Sequence, residues 1–163
     1  MTTQVAAAAG IKVIAVSGEK NFALVRNAGA AAVFDYKETS FVDKVIEEIR
    51  ASNQEFVGIF DAVSTPETYA NDIKILSALG GGHLACVHPP PAEIPENVQA
   101  GMIFAVNEVA TPVWKDYVTA ALRERKLRCL PPPTIVGKGL DKVQDALSMC
   151  EAGVSGTKLV VEL

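Results

Sequence analysis

The sequence lacks the common metal-binding and redox motifs. It has no CxxC pair and no HExxH, and its only two histidines, His83 and His88, lie five residues apart. That leaves zinc without a ligand set, and no metal site is assigned. Cysteine is scarce too. Cys86, Cys129 and Cys150 are widely spaced, which excludes a disulfide framework. Each sits among apolar neighbours and reads as a small buried hydrophobe. The basic residues form no cluster and the net charge is -4, so neither nucleic acid nor a membrane surface is an expected partner. No apolar run approaches the length of a membrane span, and the N-terminus has no charged start followed by a long apolar stretch. A cytoplasmic protein is expected.

What is present is an alternation of helices and strands with few interruptions. An Ala-rich helix over 3–9 stops at Gly10. KVIAVS, 12–17, is a buried strand, followed by a helix over 20–28 with Phe22, Val25 and Ala28 at helical spacing. AAVFDY, 31–36, is the second strand. Ser40 is placed to cap a helix reaching Ala51, with Asp43 completing a variant capping box and Val42, Val45, Ile46 and Ile49 as its apolar stripe. FVGIFDAV, 56–63, is the third strand. Pro66 opens the next helix, which turns Tyr69, Ile73 and Leu76 inward and stops at Gly80-Gly81-Gly82. The fourth strand covers 83–87. HPPPAEIPENVQ holds four prolines and cannot be regular structure. A fifth strand is expected over 101–109 and an amphipathic helix over 112–126, with Trp114, Val118 and Leu122 on one face. RCLPPPTIV is an extended connection, 140–152 the last helix and 158–163 the closing strand. Strands separated by helices, nearly all apolar, imply an α/β fold with a doubly wound parallel sheet. Ligands of such folds bind at the carboxyl ends of the strands.

The stretches KVIAVSGEKNFALVRNAGAAAVFDYKE, FDAVSTPETY with GGGHLACV, and GLDKVQDALSMCEAGVSGTKLVVEL resemble the medium-chain dehydrogenases and reductases. The similarity is greatest to the zinc-independent branch, the quinone-reductase-like proteins and the trans-acting enoyl reductases of fungal polyketide synthesis. It spans nearly the whole chain and implies a Rossmann-like, C-terminal cofactor-binding domain over 1–163. In that family a separate lobe, a first strand and a glycine-rich turn come before the helix that here is 3–9. No glycine precedes that helix in this sequence. The resemblance therefore implies a dinucleotide-binding domain truncated at its amino end, without the turn that lets the backbone approach a pyrophosphate. The missing strand is the central one, so the two strands beside it would expose unpaired edges. Those edges are expected to close by pairing with each other or through a partner subunit, as in a strand-exchanged or edge-paired homodimer.

The resemblance also places candidate cofactor-binding residues. Ser17, Lys20 and Asn21 follow the first strand, where the family meets the adenosine ribose. Ser17 and Lys20 suit a 2′-phosphate, which favours NADPH, while Glu19 would repel that phosphate and equally suits the first turn of a helix. Tyr36 matches a position near the adenosine end, or is an aromatic at a strand edge. Val63 and Ser64 lie on the ribose–pyrophosphate path. Asp61 matches the same strand end or simply accepts backbone N–H bonds, and Ser64 or Thr65 caps the helix that starts at Pro66, the role that suits Thr65 better. His88 stands beside the nicotinamide ribose, or is structural. Phe104 and Val106 belong to the segment, 104–107, whose backbone holds the carboxamide. No catalytic set can be named. Two functions follow. The first is the cofactor domain of an NADPH-preferring oxidoreductase that transfers hydride to an enone, quinone or carbonyl, weak or inactive as a lone chain. The second is a non-catalytic homo-oligomeric binding or scaffold protein on a degraded Rossmann sheet.

Overall fold

A computed structural model describes residues 1–104 and 106–163. They form two units, residues 1–35 with 118–163, and residues 36–117.

In the first unit, α1 (Thr2–Ala8) precedes β1 (Val13–Ser17). The helix ends in a Schellman motif. Gly10, at φ 81, donates its N–H to the Ala7 carbonyl, and the Ile11 N–H reaches Ala6, both at 3.0 Å. A short 3₁₀ turn and α2 (Phe22–Asn27) lead to β2 (Ala30–Asp35), which pairs with β1 in parallel. β6 (Pro133–Lys138) and β7 (Lys158–Glu162) form a second parallel pair, joined by α6 (Val143–Glu151). Buried Gln4 ties the two segments of this unit together. Its amide donates to the Arg128 carbonyl at 3.0 Å and accepts the Arg128 N–H at 2.8 Å.

In the second unit, β3 (Ile59–Asp61), β4 (Gly82–Cys86) and β5 (Val98–Met102) form a parallel sheet in that order, with α3 (Phe41–Ala51) and α4 (Pro66–Ala78) packed together. Tyr69, Leu76, Leu84, Cys86 and Val98 make its core. Thr65 caps α4 as expected. Its hydroxyl accepts the Thr68 N–H at 3.3 Å, and the Thr68 hydroxyl accepts the Thr65 N–H at 2.9 Å. Thr65→Ala should destabilise this unit by about 1 kcal/mol in urea unfolding.

Every strand pair is parallel, as the alternating pattern predicts. β1 has β2 as its strand neighbour and β3 has β4, so the two edges expected to flank a missing strand carry no strand partner among the described residues. Several other expectations are corrected. Ser40 makes no side-chain capping bond, because at φ -96 and ψ 6 it already follows a turn that bonds through the backbone. The third strand is only three residues long, since Gly58 at φ 135 keeps the chain before it out of extended pairing. The fifth strand covers 98–102 instead of 101–109; Ala105, inside the expected range, lies outside the described residues. In place of one amphipathic helix over 112–126, a π-helical stretch Val113–Val118 runs into α5 (Thr119–Arg123), and Trp114 and Leu122 are exposed. The extended connection after Arg128 is partly β6. Of the cysteines only Cys86 is buried; Cys129 and Cys150 are exposed, each next to polar or charged neighbours in sequence.

Candidate strand-end cofactor site

The carboxyl ends of β3 and β4 meet in a hydrogen-bonded knot centred on Asp61. Its Oδ1 accepts the N–H groups of Val63 at 2.8 Å and Ser64 at 2.9 Å. Its Oδ2 accepts the Thr68 hydroxyl at 2.5 Å. The turn that brings these donors round has Ser64 at φ 57, a left-handed conformation unfavourable for serine. The Ser64 hydroxyl offsets that strain by bonding twice. It donates to the Asp61 carbonyl at 3.1 Å and accepts the Val87 N–H at 3.0 Å, so the loops after β3 and β4 are tied together. Tyr69, buried on α4, holds the next residues, with its hydroxyl within 3.1 Å of the His88 carbonyl and 3.0 Å of the Pro89 carbonyl.

Electrostatics follow from this packing. Burial works to raise the Asp61 pKa, but the Thr68 hydroxyl and the Ser64 and Val63 amides outweigh it and hold the carboxyl below its usual range. Asp72, one turn beyond Thr68 on α4, shows the opposite. Burial first, then the charge of Asp61 and the bond to it, push its pKa up to about 7. The Asp72 Oδ2 is buried and faces no donor. Burial also raises the Cys86 thiol, against the Tyr69 hydroxyl and with the two aspartates.

The structure brings Val63, Ser64 and the His88 backbone together at this rim. Asp61 does accept backbone N–H bonds, as its position suggested. Ser17, Lys20 and Asn21 lie together in the first unit, at the end of β1. There Asn21 is already engaged, its amide donating to Ser155 Oγ at 3.0 Å and its carbonyl oxygen packed over Gly156. Lys20 is exposed, and the Ser17 hydroxyl has only the neighbouring Gly18 carbonyl at 3.4 Å. Tyr36 is exposed with Lys37 over its ring at 6.0 Å, and Phe104 and Val106 are exposed. Sequence reading passed over Asp72 and gave Tyr69 only a packing role. The i, i+3 and i, i+4 spacings from Tyr69 and Thr68 across one helical face were the available signal.

Comparison with known proteins decides the family. The match to the zinc-binding dehydrogenase family extends over residues 1–111. The chain belongs to that family. The dehydrogenase orsE of Emericella nidulans is 65% identical over 163 residues, covering 100% of this chain and 47% of that protein. The trans-enoyl reductase himH of Aspergillus japonicus is 31% identical over 166 residues, covering 98% of this chain and 47% of the other. The chain thus spans about half the length of the curated relatives it matches. Among solved structures, a putative NADPH:quinone reductase from Bacillus thuringiensis superposes with a TM-score of 0.70 at 15% identity, over 99% of this chain and 51% of that one. CurA of Vibrio vulnificus, solved in complex with NADPH, gives 0.65 at 16% identity, over 99% and 52%. These likenesses establish a Rossmann-like α/β fold for this zinc-binding dehydrogenase chain. Among the described residues no group of three or more His, Cys, Asp or Glu could hold a metal ion. Nor, among those residues, is any helix long and apolar enough to cross a membrane.

Proposed function

We propose that these residues form the nucleotide-binding half of an NADPH-preferring oxidoreductase that delivers hydride to an enone, a quinone or a carbonyl. The observation that carries this reading is the Asp61 knot. It fixes the carboxyl ends of two parallel strands as one polar rim, in a chain whose family consists of dehydrogenases. The donor set fits the cofactor in part. Ser17 and Lys20 offer a hydroxyl and a cation for a 2′-phosphate, and Val63, Ser64 and His88 border the path toward the nicotinamide. The proposal includes weak binding by this chain alone. The bound nicotinamide supplies the hydride. The chain's residues bind it and orient it. The proposal includes a single dinucleotide-binding domain, a cytoplasmic location and a homodimer. The open edges of β1 and β3 are where a second copy would pair.

Titration of the chain with NADPH, followed by nicotinamide fluorescence, tests the reading. Binding in the micromolar to millimolar range is expected, with Lys20→Ala weakening NADPH by about tenfold and leaving NADH unchanged. No binding at millimolar NADPH would overturn it. The second reading, a homo-oligomeric scaffold without cofactor, draws on the exposed Val106, Val109 and Trp114. It is favoured by a stable dimer in size measurements combined with no nucleotide binding.

A further inference from the structure

Asp72 stands out because the mechanism does not use it. It lies on α4, one helical turn from Thr68 and Tyr69, and its Oδ2 is buried with no donor facing it. Its neighbour is the Asp61 carboxyl, which takes the hydroxyl of Thr68, one turn back on α4, and already accepts three donors in all. Two carboxylate acceptors cannot bond each other; a carboxylic acid and a carboxylate can. Among the described residues the charge acting on Asp72 is that of Asp61. From β4 the Cys86 thiol, raised by burial, feels both carboxyls, and the Tyr69 hydroxyl of α4 acts on that thiol and bonds the His88 carbonyl. Asp43 of α3 pairs with Lys74 on an exposed side of α4.

We propose that Asp72 is a positioning residue that keeps one proton on the Asp61–Asp72 pair and, through Asp61, holds the Val63–Ser64 turn and the Val87 amide in place for the nucleotide. The proposal rests on the nucleotide reading of the strand ends for its second half only. The proton resides on Asp72, because the hydrogen bonds to Asp61 stabilise its ionised form. When the pair loses that proton to solvent, two charges share one buried site and the Asp61 bonds to the turn weaken. An acid whose folded pKa lies above its unfolded value favours folding at low pH. That contribution is complete below about 3.8 and is lost as the pH rises through about 7.

Asp72→Asn tests this, because the amide is a permanent donor that mimics the protonated acid. Thermal midpoints and NADPH affinities of the 163-residue chain and of the variant would be followed from pH 5 to pH 8.5. Wild type should lose more than about 5 °C relative to the variant across that range. Its NADPH affinity should fall by about tenfold relative to the variant, and using one ligand for both cancels the titration of the 2′-phosphate. Carboxyl carbon NMR of the unmodified chain reads the pair without any substitution, and one aspartate titrating near 7 is expected. Parallel midpoint profiles, or two carboxyls both titrating in the ordinary range, would overturn the proton-sharing pair. If neither protein binds NADPH, the nucleotide reading and the positioning role fail together, while the midpoints and the carboxyl titration still decide whether the pair exists.

Discussion

Replacing Asp61 with alanine is expected to destabilise residues 36–117 by about 3–4 kcal/mol in urea unfolding, since three hydrogen bonds to a carboxylate are lost and two backbone N–H groups are left without their partner. Trp114, the single tryptophan, belongs to that unit and can report on it. Asp61→Asn should lose roughly half as much, because its amide oxygen still accepts from Val63 and Ser64. The pH dependence has a sign opposite to that of Asp72. A carboxyl whose folded pKa is lowered stabilises the fold above its unfolded value, 3.8, and the contribution is lost as the pH falls through the folded value. Wild type should therefore lose stability below pH 4 more steeply than Asp61→Asn does. A variant as stable as wild type at neutral pH would show that the knot does not hold the strand ends.

Gly81→Ala should be at least as damaging. Gly81 has φ 109, and an added Cβ would lie 2.2 Å from the Asn97 carbonyl oxygen. That same oxygen accepts the Gly82 N–H at 3.0 Å, where β4 and β5 begin to pair. Strain and overlap together predict a loss of roughly 3–5 kcal/mol. Gly10→Ala is the matched control. It shares a positive φ, 81, but nothing lies within 4 Å of its added Cβ. It should lose only about 1 kcal/mol. Equal losses at the two positions would remove the close approach as the cause.

The sequence revealed local elements better than it revealed their partners. Glycines at helix ends, Pro66 after a threonine and β-branched runs such as KVIAVS are signals carried by a few adjacent residues, and those elements form where expected. The errors arise where distant chain decides. The apolar stripe of 112–126 looked like a buried face, yet Trp114 and Leu122 are exposed, because periodicity states that a face is apolar and not what covers it. Cys129 and Cys150 were read from nearby residues in the same way. At the site, Asp61 and Thr65 were legible as a strand-end acid and a cap. Asp72 was not, because its character comes from burial against a carboxylate eleven residues away. Ser64 bonds across to the next strand's loop, a contact that no local pattern encodes.

The most direct test is a backbone-amide NMR titration of this chain with NADPH. Binding at the strand ends predicts concentration-dependent shifts at Ser17, Lys20, Val63, Ser64 and His88, with α6 and β7 unmoved. Shifts confined to other surfaces, or none at millimolar NADPH, would contradict it.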